Sequence, residues 1–242
     1  MVICIFIIAH LIADFTFQSA SLAEHKINHF SLLVFHAIVY ATILSVAIFT
    51  FIQTRDAILP CIIIGLSHFV IDWARTVTDK KFKTKAFAFF SFLADQALHI
   101  SIIFIVYFRF NLIAKTNSIF EYCQSWKQFD SLVIYLLIFA IIWDPAAVFI
   151  KKLFTYIVKG DDSVDENGGQ QVGRIIGKLE RAIISLLVLC NQPGAIGFVL
   201  TAKSIARYKQ LENKCFAEKY LVGTLASTLI SLVTASLLKN LL

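Results

Sequence analysis

Long apolar runs separated by short polar connections dominate this chain. Runs of about 18 or more apolar residues, long enough to cross hydrocarbon as helices, fall near 1–20, 30–52, 57–77, 86–108, 131–151 and 219–239. A seventh apolar stretch, 179–206, is interrupted at 191–194 by Asn-Gln-Pro-Gly, turn chemistry that divides it into two arms too short to cross alone. The pattern predicts an all-α transmembrane helical bundle of six full spans plus a re-entrant helical hairpin tipped at Pro193, or seven spans if the hairpin crosses. Asp144-Pro145, inside 131–151, reads as a cap followed by a first-turn proline and so as a break in that helix, with a ligand role for Asp144 as the alternative.

Composition agrees: 58% hydrophobic residues, 16% charged and 23 Phe in 242 exceed what a water-soluble globule of this size carries. The opening MVICIFIIAH lacks a basic leader region, so the first helix is expected to be retained. The five Cys have no Cys-x-x-Cys spacing and read as packing residues. The longest polar connection, 158–173, is Gly-rich and acidic; it is expected to be a flexible cytoplasmic link between a bundle at 1–157 and a C-terminal hairpin and last helix at 174–242.

Charge sets an expected orientation. Arg75, Lys80, Lys81, Lys83 and Lys85 cluster in one loop, and Lys151, Lys152, Lys159, Arg174 and Lys178 in another. Basic loops belong on the cytoplasmic side, which puts the N-terminus outside in the cell inner membrane. The re-entrant hairpin keeps Lys203, Arg207, Lys209, Lys214 and Lys219 on the same side as those loops. The net charge of +6 is then the rim facing anionic lipid, and no nucleic-acid module is expected.

Against this background the polar residues inside the spans stand out. His10 and Asp14, followed by Gln18, lie in the first; His68 and Asp72 in the third; Asp95 and His99 in the fourth. Partners four apart share one helix face. The order reverses in the fourth helix, which runs the other way, so all three pairs set Asp nearer the basic side and His about one turn deeper. An Asp at mid-helix costs about 2.5–3.5 kcal/mol on the insertion scale. Three must be offset together, by mutual hydrogen bonds, by a metal, or by an ion or proton path. Three imidazoles and three carboxylates suit a divalent transition metal, zinc foremost, with manganese or iron compatible. His36, at similar depth in the second helix, is a candidate for the catalytic group, for a further ligand, or for a satisfied core histidine.

The stretches AHLIADFTFQS, GLSHFVID and LADQALH, with GRIIGKLERAI, LTAKSIARY and AEKYLVGTLAS, resemble a bacterial integral-membrane family known only as a domain of unknown function, DUF3307. That resemblance implies a membrane protein and weight on the matched residues, but no reaction. A looser similarity in His and acid pairs on transmembrane helices links the chain to membrane-bound metal-dependent hydrolases. The chain departs from them in lacking a His-rich opening, and it has no His-Glu-x-x-His.

The leading expectation is a metal-dependent hydrolase acting on a lipid or other amphipathic phosphate or ester, with His10, Asp14, His68, Asp72, Asp95 and His99 as ligands. A divalent-cation or proton-coupled transporter, and a scaffold or sensor with a structural metal, are the alternatives. The outer halves of the three ligand helices carry no polar ladder, which counts against transport. In the C-terminal part, Lys203 and Arg207 with Glu180 and Arg181 read either as interfacial and paired side chains, with Glu218 a further partner, or as a site for an anionic headgroup. Membrane lipids and a lipid-like substrate are the expected partners.

Overall fold

In the computed structural model, residues 1–18, 20–26, 29–157 and 169–242 are described, and among them helices joined by short connections make up the fold, with no strand. The helices are α1 (Val2–Leu11), α2 (Ala20–His25), α3 (Phe30–Phe51), α4 (Thr54–Lys81), α5 (Lys85–Arg109), α6 (Ser118–Ser125), α7 (Phe129–Ile142), α8 (Asp144–Ile157), α9 (Gly169–Leu189), α10 (Ala195–Ala206), α11 (Tyr208–Leu211) and α12 (Lys214–Lys239). Local sequence sets several of the starts. Thr84 Oγ1 accepts from Phe87 N at 3.2 Å before α5. The Asn117 side chain takes Ile119 N and Phe120 N before α6, and the Asn213 side chain takes Phe216 N before α12.

The chain divides into two compact units, Met1–Leu137 and Ile138–Leu242. In the first, α3 packs on α4, α4 on α5, and α1 against both α3 and α5, which closes a four-helix ring. The inward residues recur every three or four positions: Leu33, His36, Tyr40, Leu44 and Ile48 on α3; Ile64, His68, Asp72 and Thr76 on α4; Phe92, Asp95, His99 and Ile103 on α5. The outward faces carry exposed Phe35, Ile38, Val46, Ile62, Leu66, Val70, Leu98, Ile105 and Phe108. Apolar outside and charged within is the arrangement a bundle adopts when its solvent is hydrocarbon. Gly65 lets α3 come close: a Cβ there would stand 3.4 Å from Ala41 Cβ, beside the polar layer.

One end of this ring is wholly apolar, filled by buried Val2, Phe6, Leu44, Ile48, Ile64, Ile103 and Val106. Beyond it the chain is tied off by Gln53 N–H donating to Lys115 O at 3.0 Å and by Asn117 Nδ2 donating to Thr50 O at 3.0 Å.

In the second unit α9 and α12 lie side by side in the same direction, Arg181 meeting Ser227 and, further along, Lys239 meeting Val188. The Asn191 turn is a Schellman cap: Asn191 holds φ 59°, Gln192 N–H donates to Leu187 O at 2.8 Å and Asn191 N–H to Val188 O at 3.1 Å. Lys239 Nζ adds bonds to Val188 O at 2.9 Å and Asn191 Oδ1 at 2.6 Å. After this tip α10 returns along α9, so the interruption at 191–194 does make a helical hairpin. α10 is 12 residues long, short of a membrane crossing.

Among the described residues, five helical stretches are long and apolar enough to cross a membrane: Phe30–Phe51, Thr54–Lys81, Lys85–Arg109, Phe129–Ile157 and Lys214–Lys239. They correspond to the second to sixth expected spans. The first is shorter than 1–20, because its helix ends at Thr16 and a separate short α2 follows. The stretch 129–157 is broken at Trp143, immediately before Asp144-Pro145, as the proline predicts. The division between units falls at Leu137, upstream of the polar connection. Of that connection, 158–168 lie outside the described residues, and α9 begins at Gly169.

Candidate metal centre

Four histidines and three aspartates converge at mid-bundle, all nearly or fully buried: His10, His36, His68, His99, Asp14, Asp72 and Asp95. The chain's other two histidines, His25 and His29, are exposed. Each ring helix supplies one neighbouring set. α4 gives His68 and Asp72 and α5 gives Asp95 and His99 from consecutive turns. α3 gives His36, and Tyr40 one turn on. α1 gives His10, after which the helix widens into a π turn over Ile12–Thr16 that carries Asp14, with Phe17 N–H donating to Ile12 O at 3.0 Å. Such a bulge re-aims side chains and is concentrated at functional sites. The uniform α-helical spacing expected for His10 and Asp14 is therefore corrected locally.

His36 is the hub. Its Nε2 lies 3.2 Å from Asp14 Oδ1, 3.2 Å from His68 Nε2 and 3.5 Å from Asp72 Oδ2. An imidazole nitrogen carries at most one proton, so no tautomer of His36 satisfies all three neighbours. His99 Nε2 lies 3.5 Å from Asp95 Oδ1 and 4.0 Å from Asp72 Oδ1. Three overlapping triads bring their donor atoms within 4.8 Å of one another: Asp14, His36 and His68; His68, Asp72 and His99; Asp14, Asp95 and His99. Among the described residues, His10 Nε2, His68 Nδ1, Asp95 Oδ1 and His99 Nε2 are buried without a hydrogen-bond partner. Native interiors rarely leave so many polar atoms unmatched in one place.

Around this layer stand residues that hold its side chains in place. The Tyr40 ring stacks on His68, and its hydroxyl meets His10 Nδ1 at 3.0 Å. Gln96 Nε2 donates to Asp14 Oδ2 at 2.7 Å and to Asp95 Oδ2 at 3.1 Å. Lys26 Nζ donates to Asp72 Oδ2 at 2.6 Å, and Arg75 NH1 to Asp95 Oδ2 at 2.9 Å. Three carboxylates face two cations, and among the described residues Asp14 is the one without a Lys or Arg of its own. Lys26 and Arg75 also line a small cleft with Ala23, Asp72, Thr76 and Asp79, on the side of the layer opposite the apolar plug.

Five of the six expected residues, Asp14, His68, Asp72, Asp95 and His99, thus fall in these triads together with His36, whereas His10 belongs to none of them and stands beside the group, its ring centroid 5.6 Å from that of His99. The residues at 180–207 stand in the second unit. Lys203 Nζ donates to Glu180 Oε2 at 2.6 Å and lies over the Tyr220 ring. Arg181 is buried, donating to the carbonyls of Ile142 and Trp143 at the break between α7 and α8. Lys178 pairs with Asp144. Arg207 is half-buried at the end of α10.

Sequence reading missed four members of the layer's surroundings. Tyr40 had a signal, four residues after His36 on one face, and Gln96 adjoins Asp95. Arg75 was counted as a loop cation although it follows Asp72 by one turn. Lys26 had no signal, because it lies in a polar segment without periodicity.

The fold and this layer define an all-α protein with membrane-length helices and a buried His and Asp cluster inside a four-helix ring. The family model described as a protein of unknown function, DUF3307, matches residues 2–130, which include every residue of the layer, and the chain belongs to that family. The stretches after residue 130 quoted for the resemblance lie outside the match, and the match carries nothing about membrane hydrolases. No curated protein and no solved structure matches the chain.

Proposed function

We propose that the layer is a transition-metal centre, zinc foremost, of a membrane-embedded metal-dependent hydrolase. One observation carries the metal: His68 Nε2 and Asp14 Oδ1 each lie 3.2 Å from His36 Nε2, so two imidazole nitrogens and a carboxylate oxygen meet at one point. Ligands bonded at about 2.0–2.2 Å to a common ion stand roughly 3.0–3.5 Å from one another in tetrahedral or octahedral shells. Atoms that repel or compete as a hydrogen-bonding set are well placed as a ligand set. The ion also offsets the carboxylate charge that Lys26 and Arg75 leave unmatched. On this reading His36 is a ligand, and Tyr40, Gln96, Lys26 and Arg75 orient the shell from outside.

Hydrolysis is favoured over transport by access. The apolar plug gives an ion no polar path through one end of the ring, whereas the other end has the Lys26 and Arg75 cleft. A metal in such a one-sided site lowers the pKa of a bound water and supplies a nucleophile at neutral pH. We place the cleft toward the cytoplasmic leaflet of the inner membrane, with the basic loop after α4, and read α9 and α10 as a re-entrant hairpin. The substrate on this reading is a lipid or other amphipathic phosphate or ester.

Elemental analysis of the detergent-solubilised protein, purified without chelator, tests the metal beside His36→Ala and Asp14→Asn. Near-stoichiometric metal in the wild type and its loss in both variants is expected. Metal-free wild-type protein that also fails to reload rejects the centre. Hydrolysis of phosphate and carboxylic esters in micelles, abolished by His36→Ala, tests the reaction.

A further inference from the structure

The cleft over the layer has its own chemistry. Lys26 and Arg75 approach from different elements, one after α2 and one on α4, and both end on carboxylates of the layer. The Lys26 ammonium meets Asp72 Oδ2 at 2.6 Å, and Arg75 meets Asp95 at 2.9 Å and Asp79 at 3.5 Å. Arg75 keeps its NH2 corner of the guanidinium clear of these bonds, and Lys26 has two further protons. Thr76 stands at the same wall, its hydroxyl donating to the Asp72 carbonyl at 2.8 Å.

Charge decides when these groups can turn to a ligand. Asp14, Asp72, Asp79 and Asp95 outnumber Lys26 and Arg75 by two negative charges, so an anion is repelled from the metal-free cleft. One dication brings the count to neutral. If Asp72 and Asp95 turn oxygens to the metal, they also bind their two cations less tightly. Lys26 and Arg75 are then freed toward the cleft, one as a point charge and the other as a planar fork suited to phosphate oxygens.

We infer that Lys26 and Arg75 form a clamp for a phosphate monoester group at the mouth of the layer, and that this anion and the metal bind cooperatively. The inference rests on the metal reading above and names the substrate class that site takes. A lipid phosphate and a soluble phosphate ester share the recognised group, and the experiment separates them.

The test is zinc affinity of the full-length protein by competition with a fluorescent chelator. It is measured in nanodiscs of phosphatidylcholine with and without inorganic phosphate, and in nanodiscs containing phosphatidic acid. Because coupling is reciprocal, phosphate should tighten zinc by about tenfold in the wild type. The gain should fall below about twofold in Lys26→Met and in Arg75→Lys, with Lys26→Arg restoring part of it. Zinc stoichiometry on the same samples separates loss of the clamp from loss of the metal. A gain with inorganic phosphate and with phosphatidic acid assigns the clamp to phosphate in general, and a gain with phosphatidic acid alone assigns it to lipid. Zinc binding that is indifferent to both, or a gain that survives in Lys26→Met and Arg75→Lys, overturns the clamp while leaving the metal centre. A wild type that binds no zinc removes the metal reading and this inference with it.

Discussion

The phenol ring of Tyr40 lies flat on the imidazole of His68, with centroids 3.5 Å apart and planes 2° from parallel. The same residue reaches His10 Nδ1 through its hydroxyl at 3.0 Å, so one side chain orients two of the proposed ligands. Outer partners of metal ligands are typically worth ten- to a hundredfold in affinity. Tyr40→Phe, which keeps the stack and loses the hydroxyl, should weaken zinc by about tenfold, and Tyr40→Leu by nearer a hundredfold. Chelator competition measures both, and equal losses would show that the stack contributes nothing.

Gln96 is the neutral residue between two carboxylates, donating to Asp14 and Asp95. Gln96→Glu replaces that donor by a third negative charge. In the metal-free protein it should lower the melting temperature, because like charges then meet in a medium of low dielectric. Added zinc should recover more of the loss in Gln96→Glu than it adds to the wild type, read as the larger metal-induced shift in thermal unfolding.

Arg75→Met strips Asp95 of its cation. Breaking a buried pair costs about 3–5 kcal/mol. The Arg75 side chain is 21% exposed against 2% for Asp95, so a loss of about 2 kcal/mol is expected here. Adding Asp95→Asn to the metal-free variant should return most of it. A double-mutant cycle by equilibrium unfolding in mixed micelles reads the coupling, and additive losses would argue against the pair.

Arg181 closes a different gap. Its guanidinium bonds the carbonyls of Ile142 and Trp143, where Pro145 interrupts the helix and leaves backbone acceptors to be matched. Arg181→Met should cost about 3 kcal/mol, two acceptors each losing a charge-assisted bond. Arg181→Lys should recover less than half, since an ammonium does not span both carbonyls as the fork does. Unfolding in mixed micelles checks the order of the three proteins.

The layer was legible because aspartate and histidine are expensive in an apolar helix, and the i, i+4 spacing together with the reversal in α5 fixed their common depth. His10, Asp14, His68, Asp72, Asp95 and His99 were therefore readable as a set from chain order and helix direction. The π turn at Asp14 was not, because nothing in Ile-Ala-Asp-Phe-Thr distinguishes a widened turn from an ordinary one. Lys26 was invisible for a related reason: a lysine in an aperiodic loop reads as solvated, and only the tertiary fold brings it to Asp72. The helical hairpin followed from Asn-Gln-Pro-Gly, but the boundary between units did not, since α7 is apolar on both sides of Leu137 and the change there is one of neighbours rather than composition.

Asp14 and Gln96 are separated by 82 residues, yet each is part of the other's surroundings. At about 5–20 residues per second of synthesis, the first helix waits roughly 4–16 s before its partner emerges. During that interval the carboxylate can meet His36 of α3 but lacks the Gln96 amide and the closed ring. The burial of the first helix begins on α3 and is completed only when α5 arrives, and nascent chains halted before Gln96 should remain open to membrane proteases that the finished ring excludes.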